Sequence, residues 1–90
     1  MPLPDFVNEP VRVEIRLSAD GQALPASFTW RGRRITLLGV GRERHEESDG
    51  VIQTGWLARG QDGVTYELRF DPLQVGWTLV RVWRNPAVAS

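Results

Sequence analysis

The chain has 90 residues, of which 41% are hydrophobic and 24% charged, and its eleven basic residues balance eleven acidic ones. This length limits the chain to one domain with a modest core, and the composition excludes a disordered chain. No apolar run reaches the roughly 18 residues of a membrane-spanning helix, the N-terminus lacks the features of a signal peptide, and there is no cysteine. We therefore expect a cytoplasmic protein with no disulfide and no contact with a membrane.

All eleven basic residues are arginine. Codon usage in a GC-rich genome is the plain explanation. The functional one is a need for guanidinium groups, which bind anions as a planar fork and stack on aromatic rings. Because the net charge is zero, the sequence argues against strong non-specific attraction to nucleic acid, and it leaves a local basic patch open.

The first half of the chain begins with an arm and a strand. Residues 1–10 hold three prolines and are predicted to form an extended N-terminal arm, which Phe6 and Val7 could dock onto the domain. Residues 11–17 then alternate strictly between apolar and charged side chains, which predicts a strand. Its apolar face would be Val11, Val13, Ile15 and Leu17.

A hairpin is predicted at the centre of the chain, with strands over residues 27–31 and 33–41 and a turn at Arg31-Gly32. Glycine supplies the positive φ that such a turn requires. The next segment, residues 41–50, is the most polar of the chain. It is interpreted as an exposed loop, with a single helical turn over residues 42–47 as the alternative.

Three further strands are predicted over residues 51–59, 64–71 and 77–84, followed by a short tail over residues 85–90. The last strand is unusual because Val80 and Val82 would face away from Trp77, Leu79 and Trp83. A strand with one solvated face is not apolar on both faces. Cover by the N-terminal arm, cover by a second subunit in a homodimer, and a ligand-binding face are the three explanations that the sequence leaves open.

These patterns predict an all-β fold: a single antiparallel domain of about six strands over residues 11–84. Short strands with frequent turn signals and no helical period are typical of a strongly bent sheet or a small barrel. The predicted core is Val13, Ile15, Phe28, Trp30, Ile35, Leu37, Trp56, Tyr66, Leu68, Phe70, Trp77 and Leu79.

Residues that carry catalysis are scarce. His45 is the only histidine, no serine lies in a Gly-x-Ser-x-Gly motif, and no phosphate-binding or dinucleotide-binding motif is present. We therefore predict a protein that is not an enzyme and has no catalytic residue, no cofactor, no metal site and no small-molecule substrate. Imidazole and carboxylate groups at His45 and Asp49 keep a metal or ligand site as an alternative. Glu67 and Asp71 are expected to pair with arginines across the sheet.

The best candidates for binding are arginines that lie close to tryptophans. Arg31, Arg33 and Arg34 follow Trp30, and Arg81 and Arg84 flank Trp83. Such groups suit phosphate binding, base stacking or cation–π contacts. The structural alternative is that these arginines cover strand edges and pair with Glu14 or Glu67.

Three motifs carry a resemblance: Phe28-x-Trp30-Arg-Gly-Arg33, Tyr66-x-Leu68-x-x-Asp71 and Trp77-x-Leu79-x-Arg81-Val-Trp83. Together they resemble a family of short bacterial proteins of unknown function from actinobacteria and related high-GC lineages, over about residues 10–83. Members of that family carry extra tryptophans where this chain has residues 42–47. The resemblance implies the same order of strands and an association with DNA-repair gene neighbourhoods, and it implies no activity.

The leading prediction is a non-catalytic module that binds a protein partner, or a second copy of itself, through an arginine and tryptophan surface. The candidate binding residues are Arg31, Arg33, Arg34, Arg81 and Trp83. The first alternative is an accessory protein that binds nucleic acid, associated with DNA repair. The second is a small ligand-binding or metal-binding protein, or an enzyme, built around His45.

Overall fold

The structure, a computed structural model, describes residues 3–84. It contains six β-strands: β1 (Asp5–Leu17), β2 (Ala23–Trp30), β3 (Arg33–Ser48), β4 (Val51–Gly60), β5 (Thr65–Asp71) and β6 (Gly76–Trp83). Each strand pairs antiparallel with the next, and β6 pairs with β1 to close a barrel. The predicted all-β antiparallel domain is confirmed. Of the two predicted architectures, a strongly bent sheet and a small barrel, the structure is the barrel. No helix within this part of the chain is long and apolar enough to cross a membrane.

The two ends of the barrel differ. The first residues of β1, the last of β6, and the β2–β3 and β4–β5 turns lie at one end, here called the terminal end. The other three turns lie at the opposite end. The β2–β3 turn is the predicted one: Arg31 and Gly32 both have positive φ, 51° and 77°, between the paired residues Trp30 and Arg33. Two left-handed residues in a two-residue loop define a type I′ turn.

Most of the predicted core is buried: Phe28, Trp30, Ile35, Leu37, Trp56, Tyr66, Leu68 and Leu79. The Tyr66 ring is held edge-on by two aromatic neighbours, with its centroid 5.0 Å from that of Phe28 and 6.5 Å from that of Trp30. Three other predicted members, Val13, Phe70 and Trp77, are half-buried. Ala58, Val80 and Val82 complete the core.

The prediction for Ile15 is wrong, because this side chain is 52% exposed. β1 pairs with β6 only as far as Val11, whereas it pairs with β2 as far as Leu17. The β1–β2 hairpin therefore extends past the end of β6, and nothing in the barrel covers its last apolar residues.

A β-bulge explains the apolar residues on both faces of β6. Leu68 pairs with Leu79 and Glu67 pairs with Arg81, so Val80 is an extra residue without a partner on β5. An extra residue reverses which face the following residues occupy. Leu79 and Val82 therefore both lie in the core, and the strand needs neither a second subunit nor a ligand to cover Val82.

The N-terminal segment lies beside β6, in the barrel wall. β1 begins at Asp5, and its first half pairs with β6 from Asp5↔Val82 to Val11↔Trp77. The segment predicted as an arm, residues 1–10, is thus extended but belongs to a strand from Asp5 onward. The predicted tail, residues 85–90, lies outside the described residues.

The predicted loop over residues 41–50 is wrong, and so is its helical alternative. β3 continues to Ser48 and pairs with β4 across a tight turn at Asp49-Gly50. Two bulges, at Leu38 and between Val40 and Glu43, bend the strand. The segment is polar because this hairpin extends beyond the core, so water reaches it and no apolar alternation is required.

Candidate interaction surfaces

Arg31 is tied to the first strand through Glu9. The Glu9 carboxylate accepts hydrogen bonds from the Arg31 guanidinium at 2.6 Å and from the Trp30 indole N–H at 3.1 Å. The guanidinium also lies 4.7 Å from the centroid of the Trp30 ring. The hydrogen bond from Arg31, and then that from Trp30, lowers the pKa of Glu9, and Glu9 in turn raises the pKa of Arg31. Arg31 is therefore a neutralised side chain that covers a buried tryptophan.

The backbone at Arg31 departs from the usual chemistry of this turn. Asn, Asp or Gly normally occupies the first position of a type I′ turn, since a positive φ is costly for a residue with a longer side chain. Arg31 has a φ of 51°. The conformational cost of this positive φ is offset by the hydrogen bonds of Arg31 to Glu9 and by its contact with Trp30. The residue type is thus explained by the neighbours that the guanidinium reaches.

Arg33 and Arg34, at the start of β3, have different surroundings. Arg34 pairs with Glu14 at 3.2 Å on the outer surface of the barrel. Arg33 forms no ion pair with any of residues 3–84. An open groove of about 280 Å³ lies beside them, lined by Arg33, Arg34, Ile35, Thr36, Gln61 and Asp62.

At the terminal end of the barrel, Tyr66 brings the predicted hairpin close to the end of β6. The Tyr66 hydroxyl donates a hydrogen bond to Asp62. Burial, and then the contact with Asp62, raises the pKa of Tyr66, while the positive charges of Arg33 and Arg84 act in the opposite direction. The charges of Arg33 and Arg84 therefore both act on one phenol, although 50 residues of sequence separate them.

A second cluster surrounds Arg81. Its guanidinium lies 5.7 Å from the centroid of the Phe6 ring and 5.2 Å from that of the Trp83 ring, so two aromatic side chains flank it. Phe6 is 70% exposed, and it is the cross-strand partner of Arg81 in β1. We call Phe6, Arg81 and Trp83 the aromatic clamp.

Glu67 holds the guanidinium of Arg81 in the aromatic clamp. It is buried, it is the cross-strand partner of Arg81, and it accepts a hydrogen bond from Arg81 Nε. Arg69 reaches the second carboxylate oxygen at 3.5 Å. The predicted pairing of Glu67 with an arginine across the sheet is confirmed. Asp71 instead accepts the backbone N–H of Leu73 in the β5–β6 turn.

The structure places the predicted binding residues in two groups. Arg31, Arg33 and Arg34 lie at the β2–β3 turn, and Arg81 and Trp83 lie on β6. Sequence reasoning missed Glu9 and Phe6, the residues of β1 that complete each group. The three prolines of residues 1–10 favoured an arm over a strand, so no local pattern marked Phe6 or Glu9.

His45 lies in the extended part of the β3–β4 hairpin. Its ring nitrogens are 3.3 Å from Glu43 and 3.4 Å from the Thr54 hydroxyl. Asp49 lies in the turn, with a φ of 53°. Within residues 3–84, no three His, Asp or Glu side chains form a group that could hold a metal ion.

Comparison of the chain with protein-family models, with curated proteins and with solved structures finds no match.

Proposed function

We propose that this protein is a non-catalytic interaction module of the cytoplasm, which binds a protein partner through the aromatic clamp. The observation that carries the proposal is the guanidinium of Arg81 between the exposed ring of Phe6 and the ring of Trp83. Trp, aromatic and Arg side chains dominate the binding energy of protein interfaces. Glu67 fixes the position of Arg81, so little side-chain entropy is lost when a partner binds.

The balance of charge supports a protein partner over a nucleic acid. Arg31, Arg81 and Arg84 are each paired with a carboxylate, on Glu9, Glu67 and Asp5. A phosphate would have to compete with those carboxylates, and nucleic-acid affinity depends on unmatched positive charge. A neutral surface with aromatic side chains is better suited to another protein.

Site-specific photocrosslinking in cells of the source organism tests the proposal. Phe6 is replaced by p-benzoylphenylalanine in one variant and Leu38 in a second, since these side chains are equally exposed, at 70% and 69%, on different parts of the barrel. We expect a discrete protein adduct from position 6 that position 38 does not give. Trp83→Ala should weaken the affinity for that purified partner by roughly 30-fold, the effect of a residue worth about 2 kcal/mol.

Equal adducts from both positions, or a partner whose affinity is unchanged by Trp83→Ala, would contradict the proposal. Arg81→Ala is unsuitable as the main test, because it also removes the partner of a buried carboxylate and changes stability.

A row of side chains on the outer surface supports a second candidate, an accessory protein that binds nucleic acid, in keeping with the DNA-repair association of the resembling family. Thr29 pairs with Arg12 in β1 and with Arg34 in β3, so two arginines flank one short side chain. A groove of about 380 Å³ lies beside it, lined by Pro10, Val11, Arg12 and Thr29. Two guanidinium groups above a short residue suit one phosphate.

Fluorescence anisotropy of labelled single-stranded and duplex DNA and RNA at low salt separates the two candidates. Binding through this row should weaken with salt with a slope of about −0.9 for duplex DNA, as for one phosphate contact. It should be lost in the Arg12→Ala/Arg34→Ala double variant and retained in Arg59→Ala. Flat anisotropy at high protein concentration would exclude this second candidate.

A further inference from the structure

The second half of β1 has one edge without a strand partner among residues 3–84. From Arg12 to Leu17 the strand pairs with β2 on one side, while β6 has already ended at its contact with Val11. The other side of this stretch is therefore an open strand edge at the opposite end of the barrel, away from the aromatic clamp.

The direction of the backbone groups on this edge follows from the turn beyond it. The Ser18 N–H donates to the Gln22 carbonyl, and the Ser18 carbonyl accepts from the Gly21 N–H, so the backbone of Ser18 faces β2. Because this direction alternates along a strand, the N–H and C=O groups of Val13, Ile15 and Leu17 face the open side. None of the turn and loop hydrogen bonds within residues 3–84 uses these groups.

All three of these residues have apolar side chains; Val13 is half-buried against the core, whereas Ile15 and Leu17 are uncovered. Ile15 and Leu17 are 52% and 69% exposed, and Leu73 and Val75, in the β5–β6 turn at the same end, are also exposed. An exposed apolar edge is a template for pairing with another strand, and proteins normally protect such edges with charge. Another open edge, on β3 beyond its contact with β2, carries the mostly charged residues 42–47 and is protected in this way.

The charges of β1 select the partner. If two copies pair antiparallel about a twofold axis at Ile15, Glu14 of each copy lies opposite Arg16 of the other, and Val13 lies opposite Leu17. An axis at Glu14 or at Arg16 would instead place like charges against each other. Opposite charges across a strand pair stabilise it, and like charges destabilise it.

We propose that the edge from Val13 to Leu17 is a homodimer interface, in which β1 of two copies pairs antiparallel about Ile15. In this register Val13, Ile15 and Leu17 all use their free backbone groups, which gives six hydrogen bonds between the copies. The apolar side chains of these three residues meet on one face. The proposal does not rest on the aromatic clamp, so failure of either one leaves the other standing.

Sedimentation velocity from micromolar to millimolar concentration tests the dimer, with charge reversal as the probe of register. Glu14→Arg alone and Arg16→Glu alone each place like charges across the axis, and each should raise the dissociation constant about tenfold. The double variant Glu14→Arg/Arg16→Glu should restore the wild-type dissociation constant. An equimolar mixture of the two single variants should form a heterodimer, since each Arg then meets a Glu.

Thermal unfolding of each variant shows that the barrel is intact, and Leu38→Glu, a charge placed on an equally exposed residue elsewhere, should leave the dimer unchanged. A monomer mass at every concentration would overturn the proposal. So would a dimer that is insensitive to both single reversals, since another surface would then hold it together.

Discussion

Glu67 is a buried carboxylate whose pairing with Arg81 should contribute to the stability of the barrel. It lies below the aromatic clamp and depends on Arg81, which is only partly exposed. Arg81→Ala should lower the free energy of unfolding by about 2–3 kcal/mol, because a buried carboxylate keeps only a weaker contact with Arg69. Arg84→Ala is the matched control: its pair with Asp5 is exposed on both sides, and its loss should cost less than about 1 kcal/mol.

Urea unfolding of both variants measures the difference. Adding Glu67→Gln to Arg81→Ala should recover part of the loss, since a neutral amide is less costly to bury than a carboxylate. Equal effects of Arg81→Ala and Arg84→Ala would show that Glu67 does not depend on its partner.

Tyr66 gives the protein a defined response to alkaline pH. The chain has one tyrosine, no cysteine and no lysine, so Tyr66 is the side chain whose ordinary pKa lies between about 8 and 12. Its folded-state pKa is raised by burial and by Asp62, so the folded chain holds the proton more tightly than the unfolded chain. The resulting stability is fully present below about pH 10, the pKa of the unfolded chain, and is lost as the pH rises toward the folded-state value.

Phenolate absorbance and urea unfolding from neutral pH to about pH 11 check this. We expect the native protein to ionise later than the unfolded protein, and the stability of Tyr66→Phe to change less over that range. Ionisation of the native protein at the ordinary pKa of tyrosine would contradict it.

The β4–β5 hairpin is held close to the core by a glycine. A Cβ on Gly60 would lie 2.8 Å from Cε2 of Tyr66, a ring held by Phe28 and Trp30, and 2.5 Å from the carboxylate of Asp62. Gly60→Ala should therefore cost about 1–3 kcal/mol through overpacking. A Cβ on Gly39 would meet nothing within 4 Å, so Gly39→Ala should change stability by less than about 0.5 kcal/mol. Calorimetry of the two variants tests this, and we expect a lower melting temperature for Gly60→Ala than for Gly39→Ala. Similar melting temperatures would show that the hairpin moves to make room for the added methyl group.

The strands could be predicted where burial of one face imposes an alternation of apolar and polar residues. They could not be predicted where the pattern depends on irregular strand pairing, such as a β-bulge. Residues 64–71 alternate because one face meets the core, and the same holds for Val11 and Val13 in residues 11–17. Residues 11–17 lie within β1, and β5 covers all but the first residue of 64–71. The bulge at Val80 depends on which residue of β5 lies opposite, which no local pattern encodes. The segment 41–50 lies beyond the core. It therefore lacks the alternation of apolar and polar residues that usually marks a strand, although most of it belongs to β3.

The candidate site was only half predictable for a related reason. Arg31, Arg81 and Trp83 stand out by type, and the cross-strand partners Glu14 and Glu67 were expected. The residues that give the arginines their position, Phe6 and Glu9, belong to a strand at the far end of the sequence. Their role follows from closure of the barrel, which brings β1 beside β6, and not from any spacing.

Closure of the barrel also has a kinetic consequence. Every pairing but one joins strands that are neighbours in the chain, whereas the contact between β1 and β6 joins its two ends. The entropy of closing so long a loop is lost before the contact is made, so this seam should form late in folding. Val11→Ala, at the seam, should therefore speed unfolding and leave the folding rate nearly unchanged, while Ile35→Val, in the central hairpin, should slow folding. Stopped-flow measurements distinguish the two, and slower folding of Val11→Ala would contradict a late seam.

Until the seam closes, β1 and β6 present unpaired edges along their whole length, and exchange of these strands between chains is the misfolding route to expect at high concentration.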